Sequence, residues 1–254
     1  MCKLLIGVKV NDSANKKFAR IIKAREHSLS NQPHGISALI VDKDNNISVK
    51  KELNEYGKVF VWVQNRIKNA KIVAIHSRQA TDGEIDEANL HFFEIDDYFF
   101  AHNGIVGEYS DYQIVGRQIG FPVGQTFHIV ENNEEKEIKE NEMSDSYNFL
   151  LNIPKPITKL SLVKEIENTR FTGVGVLVDK QKKRMIVFST REMKAHTDFK
   201  NYFLIYSYDP TNTLVDFKSI LGFQVIVKDN GEKLKAYSVP AGIYEVNYLK
   251  VGKN

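Results

Sequence analysis

The sequence predicts an α+β fold, and two antiparallel sheets packed face to face with helices outside would accommodate its order of elements. Three observations predict it. Strand-like runs outnumber helical ones, the two kinds are interleaved along the chain, and 42% of 254 residues are apolar, enough for a sizeable core. Other α+β layouts accommodate the same order of elements, so periodicity by itself leaves them open. With no internal repeat, Gly/Ser linker or low-complexity tract, a single domain over 2–254 is expected.

Leu4–Val10 is β-branched and alternating, the pattern of a strand. From Ser13 to Ser28 the spacing predicts a helix with Phe18, Ile21 and Ile22 on one side. Ile36–Val41 and Ile47–Lys50 flank an Asn/Asp-rich turn, Asp42–Asn46, and read as a hairpin. Leu53–Ile67 has helical spacing, whereas Lys71–Ile75 and Asp97–Ala101 read as short strands that run into polar residues. Ser144–Leu151 reads as a helix with Ser144 and Asp145 as cap residues. Apolar residues at 157, 160, 163 and 166 predict a second amphipathic helix over Ile157–Glu167. Gly173–Val178, Met185–Ser189, Tyr202–Tyr206, Phe223–Val227 and Leu234–Tyr237 complete the set as strands.

The charge pattern excludes several classes of function. Thirty-five basic and 32 acidic residues are interspersed and leave a net +3, with no basic stripe of the kind that grips nucleic acid. No run approaches the length of a membrane span, and the apolar stretch at the N-terminus is too short for a signal peptide. One cysteine excludes an intramolecular disulfide and fits a reducing compartment. A cytoplasmic location is expected.

That cysteine is Cys2, directly after the initiator methionine. Methionine is trimmed ahead of a small side chain, and its loss leaves a thiol and a free α-amine on one residue. Such an amine has an ordinary pKa of about 7.7–8.0 and can serve as the base for its own thiol. A second-position cysteine is also common as an inert small hydrophobe. Three polar clusters shift the balance: His76–Gly83 after one short strand, Ala101–Gly104 after another, and Met143–Ser146 at a helix start.

Taken in order, Met1-Cys2, HSRQATDG at 76–83, Asn89-Leu-His91, AHNGIV at 101–106 and SDS at 144–146 resemble the class II glutamine amidotransferases. Their glutaminase domain belongs to the N-terminal nucleophile hydrolases, and the likeness covers roughly residues 2–180. It implies the four-layer αββα sandwich of that superfamily. It also implies hydrolysis of the L-glutamine side-chain amide through a thioester on Cys2, giving glutamate and ammonia. Asn103 and the Gly104 backbone N–H would hold the oxyanion, Arg78 and Thr81 the α-carboxylate, and Asp145 the α-ammonium. Each role fits the chemistry of its residue: an amide and a backbone N–H for developing charge, and a planar guanidinium for a carboxylate.

The chain departs from the family pattern at Gln79, Asp82 and Phe92, and in the Asn31–Gly35 loop. Asn103-Gly104 has a competing reading as a turn, and Asp145 as a helix cap. His76, His91 and His102, even taken with Asp82, lack the spacing of a metal motif. They read as hydrogen-bonded structural histidines, and neither metal nor cofactor is implied. The residues after 180 read as strands completing the same fold, so the resemblance implies a separate synthase subunit receiving the ammonia. The competing functions are a stand-alone N-terminal cysteine amidohydrolase with another γ-glutamyl or acyl-amide substrate, and a catalytically silent regulatory subunit.

Overall fold

A computed structural model describes residues 2–80, 84–107, 126–131, 134–139, 143–197, 202–207, 225–229, 232–249 and 251. The first strand, β1 (Lys3–Lys9), is followed by a 3₁₀ turn at Asp12–Ala14, then α1 (Asn15–Ala24) and α2 (Glu26–Leu29). The expected helix over 13–28 is thus broken at Arg25. That side chain is buried, and its Nε donates to the Tyr206 hydroxyl at 3.2 Å. The expected hairpin forms as β2 (Ile36–Asp42) and β3 (Ile47–Glu52). The Asp42 carboxylate accepts from the Asp44 and Asn46 backbone N–H groups, each at 2.8 Å. Next come α3 (Tyr56–Arg66), β4 (Ala70–Ser77), β5 (Phe93–Ile95) and β6 (Tyr98–Val106).

A separate two-stranded pair, β7 (Thr126–Glu131) and β8 (Glu134–Lys139), precedes α4 (Asp145–Asn152) and α5 (Lys159–Asn168). The chain then continues as β9 (Phe171–Asp179), β10 (Arg184–Ser189), β11 (Met193–Thr197), β12 (Tyr202–Tyr206), β13 (Val225–Asp229), β14 (Glu232–Val239) and β15 (Gly242–Asn247). Of the expected strand Phe223–Val227, residues 223 and 224 lie outside the described residues. Sequence reasoning did not find β5, β7, β8, β11 or β15. Lys194 and His196 interrupt the apolar pattern of β11, and β15 is a half-exposed edge strand.

Two antiparallel sheets result, with strand orders β13-β14-β11-β12-β1-β4-β2-β3 and β15-β10-β9-β6-β5. The period of two along each strand sorts side chains into layers. Leu4, Ile6, Val8, Ile72 and Ala74 of the first sheet meet Phe99, Ala101, Val174, Val176, Val178, Met185 and Val187 of the second. The opposite faces carry helices. Leu5, Ile36, Ala38, Val73 and Ile75 pack against Phe18, Ile21, Ile22, Val59, Phe60 and Val63 of α1 and α3. Phe100, Leu177, Ile186 and Phe188 pack against Phe149, Leu150 and Leu162 of α4 and α5. This is the expected αββα sandwich.

One competing reading is excluded and one local expectation changes. Asn103-Gly104 is not a turn: the dipeptide continues β6, opposite Val174 and Gly173 of β9. The expected stripe on the second amphipathic helix is also displaced. Thr158 caps α5 reciprocally with Ser161, so the helix begins after Ile157. Leu162 is then buried and Leu160 is 65% exposed. Ile157 is held from outside the helix, its N–H donating to the Tyr98 hydroxyl and its carbonyl accepting from Arg184.

Candidate active site

The same alternation that buries Leu4 and Ile6 between the sheets turns Cys2 to that side, just ahead of β1. Lys3 pairs with Ser77 in the β1–β4 ladder, which carries Cys2 to the end of β4. There the half-buried Sγ donates to the Gln79 carbonyl at 3.3 Å and accepts the Gln79 N–H at 3.2 Å. Burial pushes the thiol above its ordinary pKa. The Gln79 N–H and the Arg78 guanidinium pull it down, and the Asp145 carboxylate pushes it up. The net direction is upward, so the resting group is a thiol that needs a base. Met1 lies outside the described residues.

Arg78 is buried, and its Nη1 donates to the Glu84 carbonyl at 2.7 Å. Its backbone is stitched to the preceding loop: Arg78 N–H donates to Gly35 O at 2.8 Å, and His34 N–H to Arg78 O at 3.2 Å. His34 also accepts the Ala80 N–H on Nδ1 at 2.7 Å. The Tyr56 hydroxyl fixes that loop from below, donating to Gln32 O at 2.5 Å and accepting from Gly35 N–H at 3.1 Å. The loop that matched the family pattern only loosely is therefore the support for Arg78. Thr81 and Asp82 lie outside the described residues.

Asn103 sits on the inter-sheet face of β6, on the same alternation as Phe99 and Ala101, and is fully buried. Its Nδ2 donates to Ser207 Oγ at 2.5 Å, and Ser207 Oγ also accepts the Leu4 N–H at 2.8 Å. One hydroxyl thus ties the start of β1 to the oxyanion-donor candidate on the other sheet. Asn103 Oδ1 is buried without a hydrogen-bond partner among the described residues. Gly104 faces Gly173, and a Cβ at 104 would lie 1.7 Å from the Thr172 carbonyl oxygen. Close approach of backbone, rather than a turn, demands glycine there.

Asp145 opens α4 but does not cap it. Ser144 occupies the N-cap position without a side-chain capping bond. The buried Asp145 carboxylate instead accepts the Val106 N–H at 2.7 Å and the Ser146 hydroxyl at 3.1 Å, so it is fastened to the end of β6. Cys2, Arg78, Asn103, Gly104 and Asp145 accordingly gather around the adjoining ends of β1, β4 and β6.

The three histidines form a buried group beside this gathering. His76 and His91 stack with centroids 3.7 Å apart and planes 8° from parallel. His91 Nδ1 accepts the His102 N–H at 3.0 Å, while His102 Nε2 donates to Thr172 O at 2.9 Å and its Nδ1 lies 3.1 Å from Ser146 Oγ. The expectation of hydrogen-bonded histidines therefore holds for His91 and His102 only. Neither ring nitrogen of His76 has a side-chain hydrogen-bond partner among the described residues. Burial pushes His76 down to about 3 and His91 well below its ordinary range. It also lowers His102, against the opposing pull of Asp145. Ser207, His34 and the Gln79 backbone were not found from the sequence. Ser207 carries no local motif, and only the pairing of β12 with β1 brings it to Leu4.

The family of class-II glutamine amidotransferases matches residues 29–130, a stretch holding Arg78, Asn103 and Gly104. No curated protein matches the chain. Among solved structures, glutamine phosphoribosylpyrophosphate amidotransferase from B. subtilis is similar, with a TM-score of 0.51 at 14% identity over 82% of this chain. This chain spans 42% of that protein's length. A glutamine aminotransferase class-II domain protein from Silicibacter pomeroyi has a TM-score of 0.45 at 9% identity, covering 97% of this chain and 99% of that one. A protein from Pseudomonas aeruginosa described as a predicted glutamine amidotransferase has a TM-score of 0.41 at 12% identity, covering 84% and 87%. Of the three, the B. subtilis structure bears on the fold. The class-II glutamine amidotransferase match thus covers part of the chain and agrees with the resemblance read from the sequence, and the αββα fold is similar to that of the B. subtilis structure.

Proposed function

We propose that this chain is a glutaminase that hydrolyses the side-chain amide of L-glutamine to glutamate and ammonia, with Cys2 as nucleophile after removal of Met1. One observation carries the reading: Cys2 Sγ lies against Gln79 beside Arg78, and Asn103 is linked through Ser207 to Leu4, two residues along β1 from the thiol. The freed α-amine takes the thiol proton, which an upward-shifted thiol requires. The thiolate attacks the amide carbon, and the charge that develops on oxygen is held by Asn103 and the Gly104 N–H. Collapse expels ammonia, protonated by the same amine, and leaves a γ-glutamyl thioester that water hydrolyses.

Arg78 grips the α-carboxylate with Thr81 beside it, and Asp145 accepts from the α-ammonium. Asp145 retains acceptor capacity on both oxygens beyond its bonds to Val106 and Ser146. In this reading 2–254 is one domain and a partner subunit receives the ammonia. A cytoplasmic site of action is part of the proposal. Among the described residues no helix is long and apolar enough to cross a membrane.

The test uses purified protein whose N-terminus is shown by intact mass to be Cys2. Ammonia release from glutamine, with one adduct on Cys2 from a glutamine-mimicking electrophile, is expected. Absence of both would favour the silent regulatory subunit. Labelling together with an Arg78→Ala variant of unchanged KM would favour the amidohydrolase with another substrate.

A further inference from the structure

We propose that Ser207 is the positioning residue of the oxyanion site, acting through Asn103; this rests on the glutaminase reading. A carboxamide oxyanion donor works only if its plane and its N–H direction are fixed before charge develops, because a donor that must reorganise gives up much of its advantage. Nothing on β6 itself fixes Asn103. Its one described side-chain bond is from Nδ2 to Ser207 Oγ, and its Oδ1 is buried without a partner among the described residues. Ser207 in turn is held by two bonds to one residue of β1. Its Oγ accepts the Leu4 N–H at 2.8 Å, and its own N–H donates to the Leu4 carbonyl at 2.9 Å. The hydroxyl is therefore registered to the strand that carries the nucleophile. Asn103, on the opposite sheet, is aligned to Cys2 through it.

The protons explain why a hydroxyl suits this position. Ser207 Oγ accepts from Leu4 and Asn103 and still has one proton of its own to give. A half-turn of the Asn103 carboxamide brings Oδ1 to Ser207. The serine proton then satisfies the orphaned oxygen, and both Nδ2 hydrogens face the site that Oδ1 had occupied. Because it can donate as well as accept, the serine hydroxyl holds Oδ1 toward itself and leaves the Nδ2 hydrogens aimed at the site. Alanine can do neither, and a thiol does both weakly.

The test compares wild type, Ser207→Ala, Ser207→Thr, Asn103→Ala and the Asn103→Ala/Ser207→Ala double variant in glutamine hydrolysis. Losing an oxyanion donor outright costs roughly 10²–10³ in kcat, so a donor that is present but unaligned should cost roughly 10- to 100-fold. We expect that loss in kcat for Ser207→Ala with KM within about threefold, since the oxyanion forms after binding. Ser207→Thr, which keeps the hydroxyl, should recover most of the rate. In the Asn103→Ala background, Ser207→Ala should cost nothing further, because there is no amide left to align.

Losses that multiply in the double variant, or a Ser207→Ala enzyme with wild-type kcat, would overturn the inference while leaving the glutaminase reading intact. A merely structural role for Ser207 would give such multiplying losses. If Ser207→Ala does not fold by circular dichroism, Ser207→Cys carries the same comparison. A wild-type protein that neither hydrolyses glutamine nor is labelled at Cys2 overturns both readings together.

Discussion

Opposing influences meet on the Cys2 thiol. Burial raises its pKa, whereas the Gln79 N–H and Arg78 hold it down without reversing the direction. A group so balanced depends on its base, and the base proposed here exists only once Cys2 is the first residue. A form in which Met1 stays attached should therefore lose at least about 10²-fold in glutamine hydrolysis, the usual contribution of a positioned base. Comparing ammonia release from processed protein and from protein with an uncleaved N-terminal extension measures this. Equal rates would exclude the α-amine as base. Gly104 makes a different kind of demand. A methyl group there meets the Thr172 carbonyl oxygen at 1.7 Å, and backbone of two paired strands has little room to yield. Gly104→Ala should destabilise the fold by about 3 kcal/mol, read as a lowered urea midpoint. The sequence singled out both residues as candidates. It did not show that Gly104 is required by packing, because the Asn-Gly dipeptide looks the same in a turn and in a strand.

Among the elements, the junction of α4 with β6 decides how Asp145 is used. An aspartate at a helix start ordinarily caps, and Ser144-Asp145 in the sequence reads that way. In the fold the carboxylate reaches sideways to the Val106 N–H instead. Asp145→Ala leaves that buried donor without its partner and should cost about 1–3 kcal/mol of stability. Asp145→Asn keeps an acceptor for Val106 but removes the charge. It should restore most of the stability while raising KM for glutamine about 10- to 100-fold, the worth of a charged hydrogen bond. Urea melts and steady-state kinetics on the two variants separate the structural from the binding role. A wild-type KM in Asp145→Asn would remove Asp145 from the substrate site. A similar rule governs α5, whose apolar stripe is legible only once the Thr158 cap fixes where the helix begins.

For the molecule as a whole, the buried histidines set the response to acid. His76 is held down to about 3, so it is neutral in the folded protein at pH 5, and His91 is lowered well below its ordinary value in the same direction. The unfolded chain binds those two protons near pH 6.5. Stability is therefore full above that value and falls as the pH drops below it, and for His76 the fall ends near its folded value of about 3. At pH 5 the His76 contribution falls by about 2 kcal/mol relative to pH 7, and His91 adds a loss of the same sign. Urea unfolding at pH 7 and pH 5 should show a loss of at least about 2 kcal/mol, and His91→Phe should lessen it. A stability that is flat between pH 7 and pH 5 would show that these histidines are not held neutral.

The sequence by itself determined the strands and helices whose pattern is strong, and the five boxes that resemble the class-II glutamine amidotransferases. Each depends on neighbours along the chain: alternation in β1, β2, β4, β9 and β10, a 3.6-residue stripe in α1, and short boxes of fixed spacing. The tertiary structure alone decided that Asn103-Gly104 is strand, that Asp145 serves β6, that the His76 ring nitrogens have no hydrogen-bond partner among the described residues, and that Ser207 joins the two sheets. Those facts depend on contacts between residues up to 203 positions apart, such as the Leu4 N–H on Ser207 Oγ. No local period carries such a contact, because strand pairing and sheet stacking create it only when the layers close.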